Sequence, residues 1–144
     1  MPNSSSIRTI SRVLWVFTQD LVELFGQQRV QQAAQNLDLL VFQGTNQNPT
    51  AALAHVVLPS AVYAEKEGTF TNFQGRVQRI QAAFNPWAEA KPDLEILREL
   101  AGLLQLSVSW VDAPSIFSEL ASREKAFSGL TYQVIGDEGA LLKQ

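Results

Sequence analysis

Three short apolar runs dominate the pattern of hydrophobic and polar positions in the first sixty residues. They cover residues 13–17, 37–42 and 55–59, and Pro59 closes the last of them. The first two are continuous runs of β-forming residues without strict alternation, which is typical of strands buried on both faces of a parallel sheet. The pattern therefore predicts three strands of one parallel sheet.

The segments between these runs predict helices. From Asp20, a candidate N-cap, apolar residues recur at helical spacing on a glutamine-rich surface, and Gly26 is expected to divide that helix into two pieces. Asn48 is expected to cap a short helix that starts at Pro49. Strand, helix and strand in this order form a right-handed βαβ unit. The fold class is therefore α/β, with a small parallel, Rossmann-like sheet and flanking helices.

The second half of the chain predicts a β-hairpin followed by helices. Residues 68–84 alternate loosely, and Asn72 and Gly75 supply the turn of a hairpin excursion. One helix is expected to start at Pro92, and another to cover residues 115–125. The C-terminal tail shows no apolar period. The expected inward positions of the two helices are Leu94, Leu97, Leu100, Ala101 and Leu104, then Ile116, Phe117, Leu120 and Ala121.

Composition and charge exclude several classes of function. The 11 basic and 14 acidic side chains give a formal net charge of -3, which does not attract nucleic acid. Without cysteine, and with the single histidine His55, the chain lacks the usual ligands of zinc and iron-sulfur clusters. The apolar runs are far shorter than the roughly 20 residues that span a bilayer, so no membrane insertion is expected. Residues 1–11 are expected to be a flexible lead-in to one domain over residues 12–144.

The stretch AHVVLPSAVYAEKEGTFTNFQGRVQR, residues 54–79, is the least random part of the chain, and it contains an acidic turn at residues 65–67. In the simplest interpretation its acidic turn is solvated, because charged side chains are seldom buried. In the alternative interpretation, Arg76 and Arg79 receive the carboxylates across the hairpin and form a structural ion-pair clasp. The residues assigned to this structural motif are Glu65, Glu67, Gly68, Asn72, Gly75, Arg76 and Arg79.

The residues alone assign no catalytic, metal or cofactor site. His55 has no evident nucleophile partner and is expected to be structural. Parallel sheets bind nucleotides at the carboxyl ends of their strands, where this sequence has the turns TQD after Phe17 and QGTNQN after Phe42. These turns carry polar side chains and one glycine, and the chain has no glycine-rich phosphate loop. A nucleotide-like ligand is therefore supported only by the topological position of these turns.

The segments AHVVLP, EKEGTFTN and GRVQR, within residues 54–79, resemble a signature of the molybdopterin oxidoreductase superfamily. The variant in residues 65–79 looks most like that of the large iron-sulfur subunit of NADH:quinone oxidoreductase, complex I. Formate dehydrogenase α chains carry a close relative of it. The segment EAKPDLEILRELAGLL, residues 89–104, is similar to the helix that follows in the family. The family commonly has aspartate where this chain has His55, so the role of that carboxylate is expected to be lost.

The resemblance implies a piece of a larger α/β domain, a structural part of the complex I subunit that supports electron transfer from NADH to quinone without catalysis of its own. It implies no cofactor in this chain, iron-sulfur clusters elsewhere in the parent, and molybdopterin guanine dinucleotide in enzyme relatives. The implied partners are the remaining domains of the parent and other peripheral-arm subunits, at the cytoplasmic face of the cell membrane. Two alternatives stay open, a piece of a molybdopterin-dependent formate dehydrogenase and a stand-alone interaction module.

Overall fold

Residues 12–143 are described by a computed structural model, which divides after Pro59 into two compact units. The strands of the first unit form one parallel sheet in the order β1-β2-β3, as the apolar pattern predicts. A single 3-10 turn precedes the last strand. The elements of this unit are β1 (Val13–Phe17), α1 (Leu21–Phe25), α2 (Gln27–Ala34), β2 (Leu39–Gly44) and β3 (Val56–Pro59), with the 3-10 turn at Ala51–Leu53.

The central strand β2 provides most of the core of the first unit. Every residue of β2 after Leu39 is buried, so the predicted burial on both faces is confirmed for this strand. Leu40 and Phe42 are each 1% exposed and belong to one cluster with Val16 and Ala51. The strand lies two residues further along the chain than the apolar run suggested.

The outer strands are much more exposed than the central one. Val13 and Phe17 of β1 are 56% and 48% exposed, so the predicted burial of this strand on both faces is wrong within the described residues. Val56 and Val57 of β3 are also exposed. Each outer strand pairs on one side only, and α1 and α2 contain five and eight residues, too few to cover both faces of the sheet.

Local chemistry explains where the helices of the first unit begin and end. The Asp20 carboxylate accepts hydrogen bonds from Val22 N and Glu23 N, as expected of an N-cap. Gly26, at φ +82°, separates α1 from α2, so the predicted break is confirmed. Asn48 Oδ1 accepts from Ala51 N at 2.9 Å. The helix expected from Pro49 is only the 3-10 turn, because the chain becomes extended immediately afterwards to enter β3.

The second unit is built around a three-stranded antiparallel sheet with three helices. The predicted hairpin is formed by its first two strands, and a short strand from the C-terminal tail pairs with the second of them. The tail also contains a short helix, and neither tail element was predicted. The elements are β4 (Gly68–Thr71), β5 (Arg76–Ile80), α3 (Asp93–Leu103), α4 (Ala113–Arg123), α5 (Tyr132–Ile135) and β6 (Ala140–Leu141).

The core of the second unit joins β5 to the two C-terminal helices. Val77 is fully buried and Ile135 is 1% exposed, and both cluster with Phe117 and Leu130. This arrangement agrees with the inward position predicted for Phe117 on α4. The helix itself starts two residues earlier than expected, where Asp112 accepts a hydrogen bond from the backbone of Ser115.

The apolar face predicted for α3 needs one correction. Leu104 is 59% exposed, whereas Ile96 is 8% exposed and Ala101 is 6% exposed. The helix ends at Leu103, and Gln105 then takes a positive φ of 57°. Leu104 therefore leaves the helical periodicity and does not extend the buried face.

None of the helices within residues 12–143 combines the length and the apolar character that crossing a membrane requires.

Two glycines provide a matched test of the fold. At Gly139, φ is +78° and an added Cβ lies 2.7 Å from Val77 O, so Gly139→Ala opposes the pairing of β5 with β6. At Gly102, on α3, an added Cβ meets nothing within 4 Å. We expect Gly139→Ala to lower the free energy of unfolding by at least about 1 kcal/mol. Gly102→Ala should raise it by about 0.5 kcal/mol. Urea denaturation followed by circular dichroism measures both, and equal effects would contradict this account of the tail.

Candidate functional site

Two places in the structure are candidates for a functional site. One lies in the first unit, where the turns at residues 18–20 and 45–48 follow β1 and β2; we call these residues the carboxyl edge. Their side chains are largely exposed. Thr18 N donates to Gln43 O at 2.8 Å, which continues the pairing of β1 and β2 into the first turn. Parallel α/β sheets bind ligands beyond this end of their strands.

A buried threonine anchors the carboxyl edge. The Thr50 hydroxyl, in a fully buried residue, donates to Asp20 Oδ1 at 2.7 Å and accepts from Val22 N at 3.2 Å. The hydrogen bond from Thr50 is the main reason that the pKa of Asp20 is lowered from its ordinary value, and burial opposes this effect. The carboxylate is therefore ionised, and it joins the first turn to the segment that follows the second turn.

His55 completes the hydrogen bonding of the central strand. Its Nδ1 accepts from Leu40 N at 2.8 Å, and its backbone N donates to Leu40 O at 2.8 Å. The imidazole thus accepts a hydrogen bond from the backbone of β2, which supports a structural role for His55. Asparagine and aspartate carry an oxygen on the same Cγ position from which Nδ1 projects. His55 therefore provides a hydrogen-bond acceptor at this position.

The second candidate is the motif in the second unit, and its first carboxylate serves the backbone. Glu65 Oε2 accepts from Val62 N at 3.0 Å, and Glu65 Oε1 accepts from Trp87 N at 3.1 Å. The side chain therefore closes the 3-10 turn Tyr63–Glu65 and ties the segment before α3 to it. Lys66, between the two glutamates, forms an ion pair with Asp93 at the start of α3.

The turn of the hairpin is held by Asn72. Its Oδ1 accepts from the backbone N of both Gln74 and Arg76 at 3.0 Å. Gly75 adopts φ +76°, which favours glycine at this turn position. Its carbonyl accepts from Leu142 N at 2.8 Å, so the turn also binds the C-terminal tail.

Arg76 is a second link between the hairpin and the tail. Its Nη1 donates to Glu138 O at 3.2 Å and to Gly139 O at 3.3 Å. These two carbonyls directly precede β6, so the guanidinium supports the turn that brings the tail onto β5. Arg76 therefore acts as a clasp, but its partners are backbone carbonyls and not the carboxylates of the motif.

Arg79 and Glu67 meet at a tyrosine. The Arg79 guanidinium carbon lies 5.4 Å from the centroid of the Tyr132 ring. The pKa of Tyr132 is raised mainly by burial and next by the Glu67 carboxylate, while Arg79 partly opposes the increase. Gly68 pairs with Ile80, and an added Cβ would make only ordinary contact there, so nothing in the structure requires glycine.

The carboxylates and the arginines of the motif do not pair as the ion-pair interpretation proposed. The ion pairs of the described residues involve other side chains. Arg76 and Arg79 are three positions apart on one strand, so their side chains leave opposite faces of the sheet. Both therefore cannot face the same acidic turn.

Sequence reasoning missed three groups that complete these sites: Thr50, Trp87 and Tyr132. Each is joined to a partner that is distant in sequence, and no local pattern marks that pairing. Among residues 12–143, no three histidine, aspartate or glutamate side chains are grouped so that they would hold a metal ion.

Comparison with known proteins places these features in a wider context. Residues 1–103 match the family model described as molybdopterin oxidoreductase. The F420-dependent formate dehydrogenase 2 subunit alpha of Methanococcus maripaludis is 39% identical over 112 residues, which cover 76% of this chain and 17% of that protein. A putative formate dehydrogenase of Staphylococcus aureus is 38% identical over 104 residues, or 72% of this chain and 11% of that protein.

A solved structure supports the same relationship. Acetylene hydratase from Pelobacter acetylenicus superposes with a TM-score of 0.60 at 26% identity, over 83% of this chain and 17% of that one. The chain therefore spans only 11% to 17% of the length of these three proteins. The two curated relatives are named as formate dehydrogenases, which supports the formate dehydrogenase alternative better than the complex I interpretation.

The role of His55 is testable with two substitutions. His55→Ala leaves the amide of Leu40 without its acceptor in a buried strand, and we expect a loss of about 1–3 kcal/mol in the free energy of unfolding. His55→Asn keeps an acceptor near the same position and should recover most of that loss. Urea denaturation and the hydrogen-exchange rate of the Leu40 amide report the effect. Equal losses in the two variants would show that the ring contributes by packing alone.

The tail contact of Arg76 predicts a larger effect than that of an exposed arginine. Arg76→Ala removes both carbonyl contacts, and we expect the free energy of unfolding to fall by about 1 kcal/mol or more. Arg123→Ala is the control, because Arg123 forms an exposed pair with Glu119 one helical turn away. Such pairs contribute about 0.3–0.5 kcal/mol. Thermal melts of both variants measure the difference, and a smaller effect at Arg76 would rule out the clasp.

Proposed function

Because the chain belongs to the molybdopterin oxidoreductase family, we propose that it forms part of the α subunit of a formate dehydrogenase-type oxidoreductase. The observation that carries this proposal is the 39% identity to a formate dehydrogenase alpha subunit over 112 residues. In this proposal the first unit contributes to the cleft that holds molybdopterin guanine dinucleotide. The second unit supports the surrounding domains, and the remaining domains of the longer α subunit are its partners.

The carboxyl edge presents side-chain amides that can form hydrogen bonds with part of this dinucleotide. The side chains of Gln19, Asn46 and Gln47 are exposed, and their amides both donate and accept hydrogen bonds. Neither turn of the edge contains lysine or arginine. The edge is therefore suited to the hydrogen-bonding groups of a purine or a ribose, and the charge of the two phosphates needs cations from elsewhere.

In this proposal the residues of this chain help to bind the cofactor and to position it. The bound cofactor supplies the redox chemistry, as is usual for enzymes with cofactors that carry the reactive centre. The carboxylate of Asp20 and the imidazole of His55 are both engaged in structural hydrogen bonds. Neither is assigned a proton-transfer role, so we expect no formate oxidation by the 144-residue chain alone.

The proposed contact with a guanine nucleotide can be tested directly. We expect GMP to shift the side-chain amide resonances of Gln19, Asn46 and Gln47 in a labelled chain, with a dissociation constant on the order of 1 mM because only part of the cleft is present. AMP should bind more weakly, since its purine edge offers a different set of donors and acceptors. Replacing Asn46 and Gln47 together by alanine should weaken GMP binding at least about threefold, as expected for the loss of one hydrogen bond.

The matched control replaces Gln28 and Gln31, two exposed glutamines of α2, by alanine. This double variant carries the same kind of change away from the carboxyl edge and should bind GMP as the parent chain does. GMP shifts that are absent from the carboxyl edge, or equal affinity for GMP and AMP, would contradict the proposed role of the edge.

A further inference from the structure

The second unit contains a small groove that neither the proposed function nor the hydrogen-bonding role of the motif accounts for. It has a volume of about 200 Å³ and lies between the start of β4 and the three helices of the unit. We call it the Tyr132 groove. Its walls include Glu67, Leu94, Ile116, Phe117, Leu120 and Tyr132.

The size of the Tyr132 groove restricts what it can accept. Sites for cofactors and drug-sized molecules usually have volumes of about 300–1,000 Å³. A volume of about 200 Å³ is too small for such a ligand and is comparable to one long side chain. The mainly aliphatic and aromatic walls favour an occupant with an apolar stem.

The aromatic side of the groove already lies beside one planar cation. The rings of Phe117 and Tyr132 pack edge to face, with centroids 5.6 Å apart and an interplanar angle of 68°. Within this chain the Tyr132 ring already has the guanidinium of Arg79 at 5.4 Å from its centroid. Guanidinium groups stack on aromatic rings more readily than ammonium groups do.

The charges around the groove favour a cation as well. Glu67 lines the groove, and the ion pairs of the described residues do not include its side chain. The charged groups that act on Tyr132 are Glu67, Asp112 and Arg79, two carboxylates and one guanidinium. The two carboxylates outnumber the one guanidinium, so the charge near Tyr132 favours a second cation.

We propose that the Tyr132 groove receives the side chain of an arginine from another polypeptide segment, with the guanidinium at Glu67 and the stem against Leu94, Ile116 and Leu120. A carboxylate and a guanidinium form paired hydrogen bonds, which gives the contact both direction and selectivity for arginine. The proposal is independent of the dinucleotide site, because it concerns only the second unit and its test needs no cofactor.

The first arm of the test uses butylguanidinium and butylurea as probes of the 144-residue chain. The two molecules have similar shapes, but only butylguanidinium is charged. We expect butylguanidinium to produce saturable shifts in the methyl resonances of Leu94, Ile116 and Leu120 and in the ring resonances of Tyr132, with a dissociation constant in the millimolar range. Butylurea should bind up to about fivefold more weakly, as an exposed ion pair allows. Equal binding of both probes would overturn the role assigned to Glu67.

Substitutions separate the carboxylate from the general surface charge. Glu67→Gln should weaken butylguanidinium to the level of butylurea. Glu124→Gln, an equivalent change at an exposed residue that does not line the groove, should leave both probes unaffected. Thermal melts establish that each variant is folded. Unchanged butylguanidinium binding in Glu67→Gln would overturn the proposal.

A final arm distinguishes a polypeptide from a free small molecule. The peptide acetyl-Gly-Arg-Gly-amide should shift the same resonances at least as strongly as butylguanidinium, and acetyl-Gly-citrulline-Gly-amide should bind more weakly. If butylguanidinium binds and the arginine peptide does not, the groove is closed to a side chain carried on a backbone, and the docking proposal is wrong.

Discussion

The buried central strand β2 imposes the constraint on which the first unit depends. Because nearly all of β2 is buried, its backbone groups must find partners within the protein, where an unpaired group costs about 1–3 kcal/mol. The parallel neighbours β1 and β3 satisfy most of this requirement. At Leu40 the partner is His55, the residue before β3. Its imidazole accepts a hydrogen bond from the backbone N–H of Leu40, and its own backbone N–H donates to the carbonyl of Leu40. His55 thus supplies both partners that the backbone of Leu40 needs at this point of the strand.

The motif of the second unit also binds backbone groups, but mostly in exposed turns. Glu65, Asn72 and Arg76 each bind backbone groups of a turn or of the tail. Polar and charged side chains in such positions order loops that have little apolar surface to bury. The C-terminal tail is held on β5 by the hairpin turn, by the Arg76 guanidinium and by the packing of Ala140 and Leu142 against the core of the unit.

Two surfaces of the described residues are not accounted for by these structural contacts. The carboxyl edge of the parallel sheet presents neutral amides, which suit the hydrogen-bonding part of a nucleotide. The Tyr132 groove presents one carboxylate among apolar walls, which suits a single cationic side chain. Both surfaces offer groups that bind rather than react, which agrees with the proposal that this chain binds and positions while a cofactor supplies the redox chemistry.

The sequence by itself determined the three parallel strands, the break at Gly26, the hairpin and the family. These features follow from local propensities, glycine conformation and a motif whose residues are close together in the chain. It did not determine β6, the partners of Arg76, or the contact between Thr50 and Asp20, which joins residues 30 positions apart. It did not determine either that the Arg79 guanidinium lies over the ring of Tyr132. Such contacts depend on where distant segments meet, and only the tertiary structure decides that.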